Sequence, residues 1–140
     1  MSNQRLYNKA LKYVKKKDYS RAIKYFNLLI ELHPSDADAI SERGVSRFHM
    51  NDLQGAMSDM NKSLELEPKN PYRYASRAYI RSRKGDTKGA ISDYKRAIEL
   101  DPEDAISYNN LGLLEEKLGY MQQSKKRFQL ADKLAGDELI

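Results

Sequence analysis

The segment IELHPSD, residues 30–36, recurs twice further along the chain with closely related residues. Residues 64–70 read LELEPKN and residues 98–104 read IELDPED, so that each proline stands 34 residues after the one before it. A fixed period of this length predicts a stack of small, similar units rather than one irregular domain. The chain of 140 residues divides into four repeats, residues 3–36, 37–70, 71–104 and 105–138.

Residue size is restricted at particular places in the repeat, which we number as positions 1 to 34. Positions 8 and 20 are small, whereas position 24 is large and apolar. Two helices that cross closely need small residues at the crossing and large residues around it, so this pattern predicts a helical hairpin. The small residues are Ala10, Gly44, Ala78 and Gly112 at position 8, and Ala22, Ala56, Ala90 and Ser124 at position 20.

Each repeat contains two stretches of helical periodicity, at about positions 1–14 and 17–30, and no strand pattern competes with them. An Asp or Asn precedes most of these stretches, where a side-chain oxygen caps the first turn of a helix. Gly85 and Gly119 suit the turn between the two helices of a repeat. We therefore predict an all-α protein of about eight helices. The expected caps are Asp36, Asn70 and Asp104 for first helices, and Asp18, Asp52 and Asp86 for second helices.

This pattern resembles the tetratricopeptide repeat (TPR) family in its period, its small residues at positions 8 and 20, its large residue at position 24 and its proline at position 32. The resemblance covers residues 3 to about 136. It implies a right-handed α-solenoid of four helical hairpins, in one domain over residues 1–140, with a concave peptide-binding groove. The chain departs from the family pattern at positions 4 and 11 and in the fourth repeat. No repeat has the favoured Trp at position 4, position 11 holds Arg47, Arg81 and Glu115 after the usual Tyr13, and the fourth repeat has Ser124 and Gly136 at positions 20 and 32.

Charged residues recur inside the two middle repeats, where position 7 is Arg and position 23 is Asp. Because the Arg occurs only where the Asp does, we predict a structural ion pair between the two helices of each hairpin. Arg81 and Glu115 share position 11 in neighbouring repeats, and we expect them to pair in a similar way. The two predicted structural pairs are Arg43 with Asp59 and Arg77 with Asp93.

The net charge of +5 has an uneven distribution. Residues 1–36 contain eight basic and three acidic residues, so the excess of the first repeat equals that of the whole chain. Four of these basic residues, Arg5, Lys9, Lys12 and Lys16, lie on a helix face that has no preceding repeat to cover it. Apolar residues of positions 21 and 28 give way to Lys125 and Asp132 in the last repeat. We therefore expect a complete, monomeric array with polar ends.

The resemblance places the groove on the first helix of each repeat, around positions 2, 5, 6, 9, 12 and 13. Position 9 is apolar in every repeat and either packs between neighbouring first helices or forms the floor of the groove. Position 13 is basic or potentially basic, and it either binds a ligand or complements the end of the helix dipole. Three asparagines, Asn8, Asn109 and Asn110, offer amides to a ligand backbone. The candidate groove residues are Tyr7, Leu11, Lys15, Val45, Phe48, His49, Tyr72, Tyr79, Arg83, Asn109, Asn110, Leu113 and Lys117.

One known ligand class of the family is not expected here. TPR co-chaperones hold the C-terminal carboxylate of a heat-shock protein with a clamp of Lys, Asn, Asn, Lys and Arg. Neither alignment of that clamp with the chain finds matching residues, so we expect no carboxylate-clamp heat-shock partner. The clamp positions fall on Tyr7, Leu11, Glu42, Tyr72 and Ser76, or one repeat later on Ser41, Val45, Ser76, Ile106 and Asn110.

Other function classes lack the residues that they need. Absence of Cys and a count of two His argue against thiolate and His-rich metal sites. No phosphate loop, HExxH or GxSxG motif occurs, so we expect neither an enzyme nor a cofactor. Nucleic acid is not an expected partner, because the 25 basic residues are interspersed with 20 acidic ones and the net excess equals that of the first repeat. The chain shows no signal peptide or membrane-length apolar run, so we expect a cytoplasmic protein that does not enter a membrane.

Two functions remain open at this stage. The leading hypothesis is a non-catalytic scaffold or adaptor that binds a partner's peptide segment, with apolar anchors and acidic residues, in the groove. The alternative is a chaperone for a secreted or aggregation-prone client, since small TPR chaperones of type III secretion have a similar size and use the same groove.

Overall fold

A computed structural model describes the backbone of residues 2–139 and the side chains of residues 2–136. This part of the chain consists of eight α-helices and contains no strand, which confirms the predicted all-α repeat fold. Contacts divide the chain into two compact units of two hairpins each, an N-terminal unit (Met1–Pro68) and a C-terminal unit (Lys69–Ile140). The packing of the apolar tail, Leu139 and Ile140, which the sequence leaves open, lies outside the described side chains.

The bounds of the helices agree with the predicted positions 1–14 and 17–30 within one residue, except that the last helix is longer. None of those in the described part of the chain combines the length and the hydropathy that crossing a membrane requires. The helices are α1 (Asn3–Lys15), α2 (Tyr19–Leu32), α3 (Ala37–His49) and α4 (Leu53–Leu66) in the N-terminal unit, and α5 (Pro71–Arg83), α6 (Thr87–Leu100), α7 (Ala105–Lys117) and α8 (Met121–Leu139) in the C-terminal unit.

All six predicted caps are confirmed. Each Asp or Asn side chain accepts a hydrogen bond from a backbone N–H two or three residues later, as in Asp52 with Gly55 (2.9 Å) and Asn70 with Tyr72 (3.0 Å). These bonds satisfy N–H groups that have no partner inside the helix. The remaining caps are Asp18, Asp36, Asp86 and Asp104.

The predicted close crossing of the two helices is also confirmed. A methyl group on Gly44 would lie 2.9 Å from Cβ of Asp59, and one on Gly112 would lie 2.7 Å from the ring of Phe128. These distances are shorter than carbon atoms tolerate, so the second helix lies directly on the backbone of the first. The small residues of positions 8 and 20 that face each other in the other hairpins are fully buried.

Two arginines meet one aspartate in each of the two middle hairpins. Arg43 binds Asp59 through two nitrogens, at 2.9 and 2.8 Å, and Arg47 binds the same carboxylate at 3.0 Å. Arg77 and Arg81 bind Asp93 in the same way, with all three distances at 2.8 Å. The hydrogen bond to Asp93 raises the pKa of Arg77 above its usual value. Each buried carboxylate is therefore fully paired, as a charge removed from water must be.

The predicted pair between Arg81 and Glu115 is wrong. Arg81 lies on Asp93 within its own hairpin, and Glu115 is bound by Arg127 at 3.1 Å within the next hairpin. Position 11 thus faces position 23 of the same hairpin and not position 11 of its neighbour. In the fourth repeat the two charges have exchanged places, with the acid on the first helix.

In the first hairpin, aromatic rings form the contact between position 11 and position 23. Tyr13 and Tyr25 stack with centroids 5.6 Å apart, the ammonium of Lys9 lies 5.2 Å from the Tyr25 ring, and Arg21 lies 5.8 Å from the Tyr13 ring. Cations over ring faces are attracted by the ring quadrupole. Two of the basic residues of this repeat, including one on the predicted polar face, therefore also pack against the hairpin.

Position 15 of every repeat adopts a left-handed backbone conformation. Gly85 and Gly119 have φ values of 89° and 84°, as the turn prediction requires, but Lys17 (61°) and Asn51 (64°) adopt the same conformation. Asn tolerates positive φ better than most residues, whereas Lys has no such advantage. The backbone of this turn is therefore set by the hairpin and not by glycine alone.

We predict that Lys17→Gly stabilises the protein by about 0.5–1 kcal/mol. A left-handed residue with a Cβ costs about 1–2 kcal/mol, which exceeds the entropic cost of glycine, about 0.5–1 kcal/mol. Urea denaturation measures the change. The matched control is Lys16→Gly, because Lys16 has φ −81° and gains no relief. A loss of stability in both variants contradicts the prediction.

We predict that Arg127→Ala destabilises the protein by about 3 kcal/mol, because it leaves the buried carboxylate of Glu115 without its partner. The double variant Glu115→Arg with Arg127→Asp restores the polarity of the third hairpin and should recover most of this loss. Denaturant midpoints at pH 7 measure both effects. A double variant no more stable than Arg127→Ala would show that the contact does not accept either polarity.

Candidate functional site

The first helices of the C-terminal unit carry two matching rows of side chains. Positions 2, 6, 9 and 13 are spaced i, i+4, i+7 and i+11, so they lie on one helix face. Both helices contribute to one apolar core with α6, through residues such as Ala78 and Leu111, and the described members of that core include no residue of the two rows. We call these rows the α5 stripe, Tyr72, Ser76, Tyr79 and Arg83, and the α7 stripe, Ile106, Asn110, Leu113 and Lys117.

Large apolar side chains are exposed at corresponding places in both stripes. Tyr72 and Ile106 at position 2 are 81% and 73% exposed, and Tyr79 and Leu113 at position 9 are 47% and 51% exposed. Each stripe ends in an exposed cation at the last residue of its helix. Both helices therefore show water the same order of groups, apolar, polar, apolar and basic.

The corresponding rows of the N-terminal unit are different. Position 2 is polar, with Gln4 on α1 and Asp38 on α3, and the Gln4 side chain donates a hydrogen bond to that of Asn8 at 3.0 Å. At position 9, Leu11 and Val45 are half-buried. Among the described residues, no large exposed apolar side chain lies on these two rows. The first helices of the two units thus present different surfaces at the same repeat positions.

The two aromatic candidates of the N-terminal unit, Tyr7 and Phe48, take part in packing. Tyr7 meets Phe26 edge-on, with ring centroids 6.1 Å apart, and Val14 packs against the same core. Phe48 is half-buried and meets the ring of His49 edge-on. These contacts favour the packing interpretation for this unit.

At position 13 the four residues divide into two kinds. All four, Lys15, His49, Arg83 and Lys117, are exposed in the last turn of their helices, and they differ in the contacts that they make. The ring of His49 stacks on Tyr19, with centroids 4.5 Å apart and planes 11° from parallel. The imidazole therefore already has a contact that the three flexible cations lack.

Of the two candidate asparagines in the C-terminal unit, one is already bonded. Asn110 is half-buried and its amide donates a hydrogen bond to the hydroxyl of Tyr94 at 3.2 Å, whereas Asn109 is exposed. Burial raises the pKa of Tyr94 to about 12, against the lowering effect of the Asn110 hydrogen bond. Asn110 thus connects the α7 stripe to the core. The described residues contain no cluster of three or more His, Asp or Glu placed to hold a metal ion.

We predict that Tyr94 makes the stability of the protein fall between about pH 10 and pH 12. The folded pKa of Tyr94, about 12, lies above the ordinary value near 10, so its stabilising contribution is complete below pH 10 and is lost as the pH rises through this window. The unfolding free energy of wild type minus that of Tyr94→Phe should therefore shrink over this range. The exposed Tyr72→Phe is the control, and an equally large shrinkage there would contradict the assignment to Tyr94.

Three family models match the chain. Two models described as tetratricopeptide repeat match residues 9–81 and 105–138, and one described as TPR repeat matches residues 78–119. No curated protein matches the chain significantly.

Several solved structures share the fold. The crystal structure of MamA has a TM-score of 0.92 at 20% identity, over 99% of this chain and 81% of that one. MamA 41-end from Desulfovibrio magneticus RS-1 has a TM-score of 0.88 at 18% identity, over 97% and 77% of the two chains. The first TPR of Spaghetti (RPAP3), bound to the HSP90 peptide SRMEEVD, has a TM-score of 0.80 at 25% identity, over 84% and 93%. The MamA likenesses show the fold alone.

The family matches, together with a structural neighbour that is bound to a peptide, support a protein-interaction module. The first model alone covers more than half of the chain. The chain belongs to the tetratricopeptide repeat family.

Proposed function

We propose that the C-terminal unit binds a peptide segment of a partner protein on the α5 and α7 stripes. The observation that carries this proposal is the exposure of Tyr72, Ile106, Tyr79 and Leu113 on corresponding faces of two successive first helices. Exposed apolar side chains scattered singly need no explanation, but a repeated set on one face of two helices is typical of a binding surface. The TPR of Spaghetti, whose fold is similar, is bound to a peptide, which supports a peptide as the kind of ligand.

The chemistry of the stripes indicates the kind of segment that binds. Tyrosine is among the side chains that most often dominate binding energy, because it buries a large area with few rotatable bonds. Arg83 and Lys117, at the ends of the stripes, favour acidic residues on the partner and speed its approach. The segment therefore has apolar anchors flanked by acidic residues.

A terminal carboxylate is not the feature that the proposed site recognises. The clamp positions of the C-terminal unit hold Tyr72 and Ser76, or Ile106 and Asn110, and Asn110 is bonded to Tyr94. Uncharged side chains stand where a carboxylate clamp needs cations. In this role the protein is a scaffold or adaptor that joins its partner through side chains within a segment.

We predict that Tyr79→Ala with Arg83→Glu reduces the recovery of the bound partner at least tenfold in affinity capture from lysate of the source cells, measured by quantitative mass spectrometry. Loss of one aromatic anchor and reversal of one charge each remove about 1–2 kcal/mol of binding free energy. The variant should keep its helical circular dichroism and its unfolding midpoint within a few degrees.

The matched control is Tyr120→Ala with Lys88→Glu. Tyr120 is 48% exposed, close to the 47% of Tyr79, and both control residues lie outside the stripes. The control should recover the partner like wild type. Equal recovery by the folded stripe variant would refute the proposed site.

A further inference from the structure

The spacing along each stripe restricts the conformation of a bound segment. On α5, Tyr72 and Tyr79 are seven residues apart and Arg83 follows four residues later. At 1.5 Å per residue along the helix axis, Tyr72 and Tyr79 lie about 10.5 Å apart, and Arg83 lies about 6 Å beyond Tyr79. The α7 stripe has the same spacing, with Ile106, Leu113 and Lys117.

An extended peptide running along the stripes fits these distances poorly. Its residues rise about 3.3 Å each and alternate between two faces, so side chains on one face lie about 6.6 or 13 Å apart. In an extended segment, a distance of about 10.5 Å separates residues i and i+3, and the side chains of these two residues point to opposite sides. If one side chain of an extended segment contacts Tyr72, the side chain at the height of Tyr79 therefore points away from the stripe.

An α-helix fits the same distances without adjustment. Residues seven apart on a helix lie about 10.5 Å apart on one face, and residues four apart lie about 6 Å apart on that face. Neighbouring helices pack with axes about 8–10 Å apart, so a third helix can lie along α5 and α7 and touch both stripes. The apolar pairs Tyr72 with Ile106 and Tyr79 with Leu113 then form two layers of contact.

The charges at the C-terminal ends of α5 and α7 favour one of the two directions in which a ligand helix can lie along them. Arg83 and Lys117 are the last residues of α5 and α7, at the ends that carry the negative partial charge of the helix dipole. The N-terminus of a helix carries positive partial charge and favours acidic side chains in its first turn. An antiparallel ligand helix places its acidic first turn beside Arg83 and Lys117. It also places its positive N-terminal end beside the negative C-terminal ends of α5 and α7, so both interactions are favourable.

We infer that the partner segment is an amphipathic helix that runs antiparallel to α5 and α7. Its sequence has an acidic residue in the first turn and apolar residues four and eleven places later. The residue seven places after the acid meets Ser76 and Asn110, and since Asn110 is bonded to Tyr94, a small residue suits that place. This inference rests on the proposed function and specifies the ligand of the same site.

The test uses labelled 18-residue peptides and fluorescence anisotropy with the full chain. The acid-first peptide, held helical by a lactam bridge on its far side, has glutamate at its third place, leucine at its seventh and fourteenth and alanine at its tenth. The second peptide has the reversed sequence with the same bridge, and the third has the acid-first sequence with two prolines in place of the bridged residues.

The acid-first peptide should bind about tenfold more tightly than either of the others. Replacing its glutamate by lysine should weaken binding about tenfold, and the protein variant Arg83→Glu with Lys117→Glu should recover the affinity for that lysine peptide. Equal binding of the reversed peptide overturns the direction, and equal binding of the proline peptide overturns the helical conformation.

Failure of this inference is distinguishable from failure of the proposed function. If no peptide binds but partner capture still depends on Tyr79 and Arg83, the helical ligand is refuted and the peptide-binding face stands. If no peptide binds and capture is unaffected by Tyr79→Ala with Arg83→Glu, both are refuted.

Discussion

The close crossing of two helices in each hairpin is the constraint on which the rest of the structure depends. At Gly44 and Gly112 the second helix lies so near that a methyl group has no room. Interiors packed at this density respond to changes of one carbon atom, so residue size at the crossing is restricted in every repeat. The inner sides of the helices are thereby determined, and variation is left to their outer sides.

Beside the crossing, one contact recurs with different chemistry. Position 11 of the first helix meets position 23 of the second as a stack of Tyr13 on Tyr25, as Arg–Asp in the two middle hairpins, and as Glu115 with Arg127 in the last. All of these partners are matched in shape or charge, because an unmatched polar group in a half-buried contact is costly. The close distance between the two helices imposes the same requirement in each hairpin. The residue types that meet this requirement differ from one hairpin to the next.

The outer faces of the first helices differ between the two units because no such requirement restricts them. In the N-terminal unit these faces are polar or take part in packing, and in the C-terminal unit they expose tyrosine, isoleucine and leucine in matching order. A surface that the fold does not need is available for recognition. The predicted groove over all four repeats stays a prediction, and the proposed site is confined to α5 and α7.

The sequence by itself determined the repeat, the eight helices and their caps, since these depend on residue size and short-range hydrogen bonds at fixed spacing. It missed the left-handed turn at Lys17, because glycine and, more weakly, asparagine signal that conformation in a sequence, whereas lysine does not. The tertiary structure decided which charges meet, since only the crossing shows that Arg81 faces Asp93 and not Glu115. It also decided which apolar residues reach water. Leu11 and Leu113 share a residue type and a repeat position, yet one is half-buried and the other is exposed, because exposure depends on the neighbours that packing brings to each site.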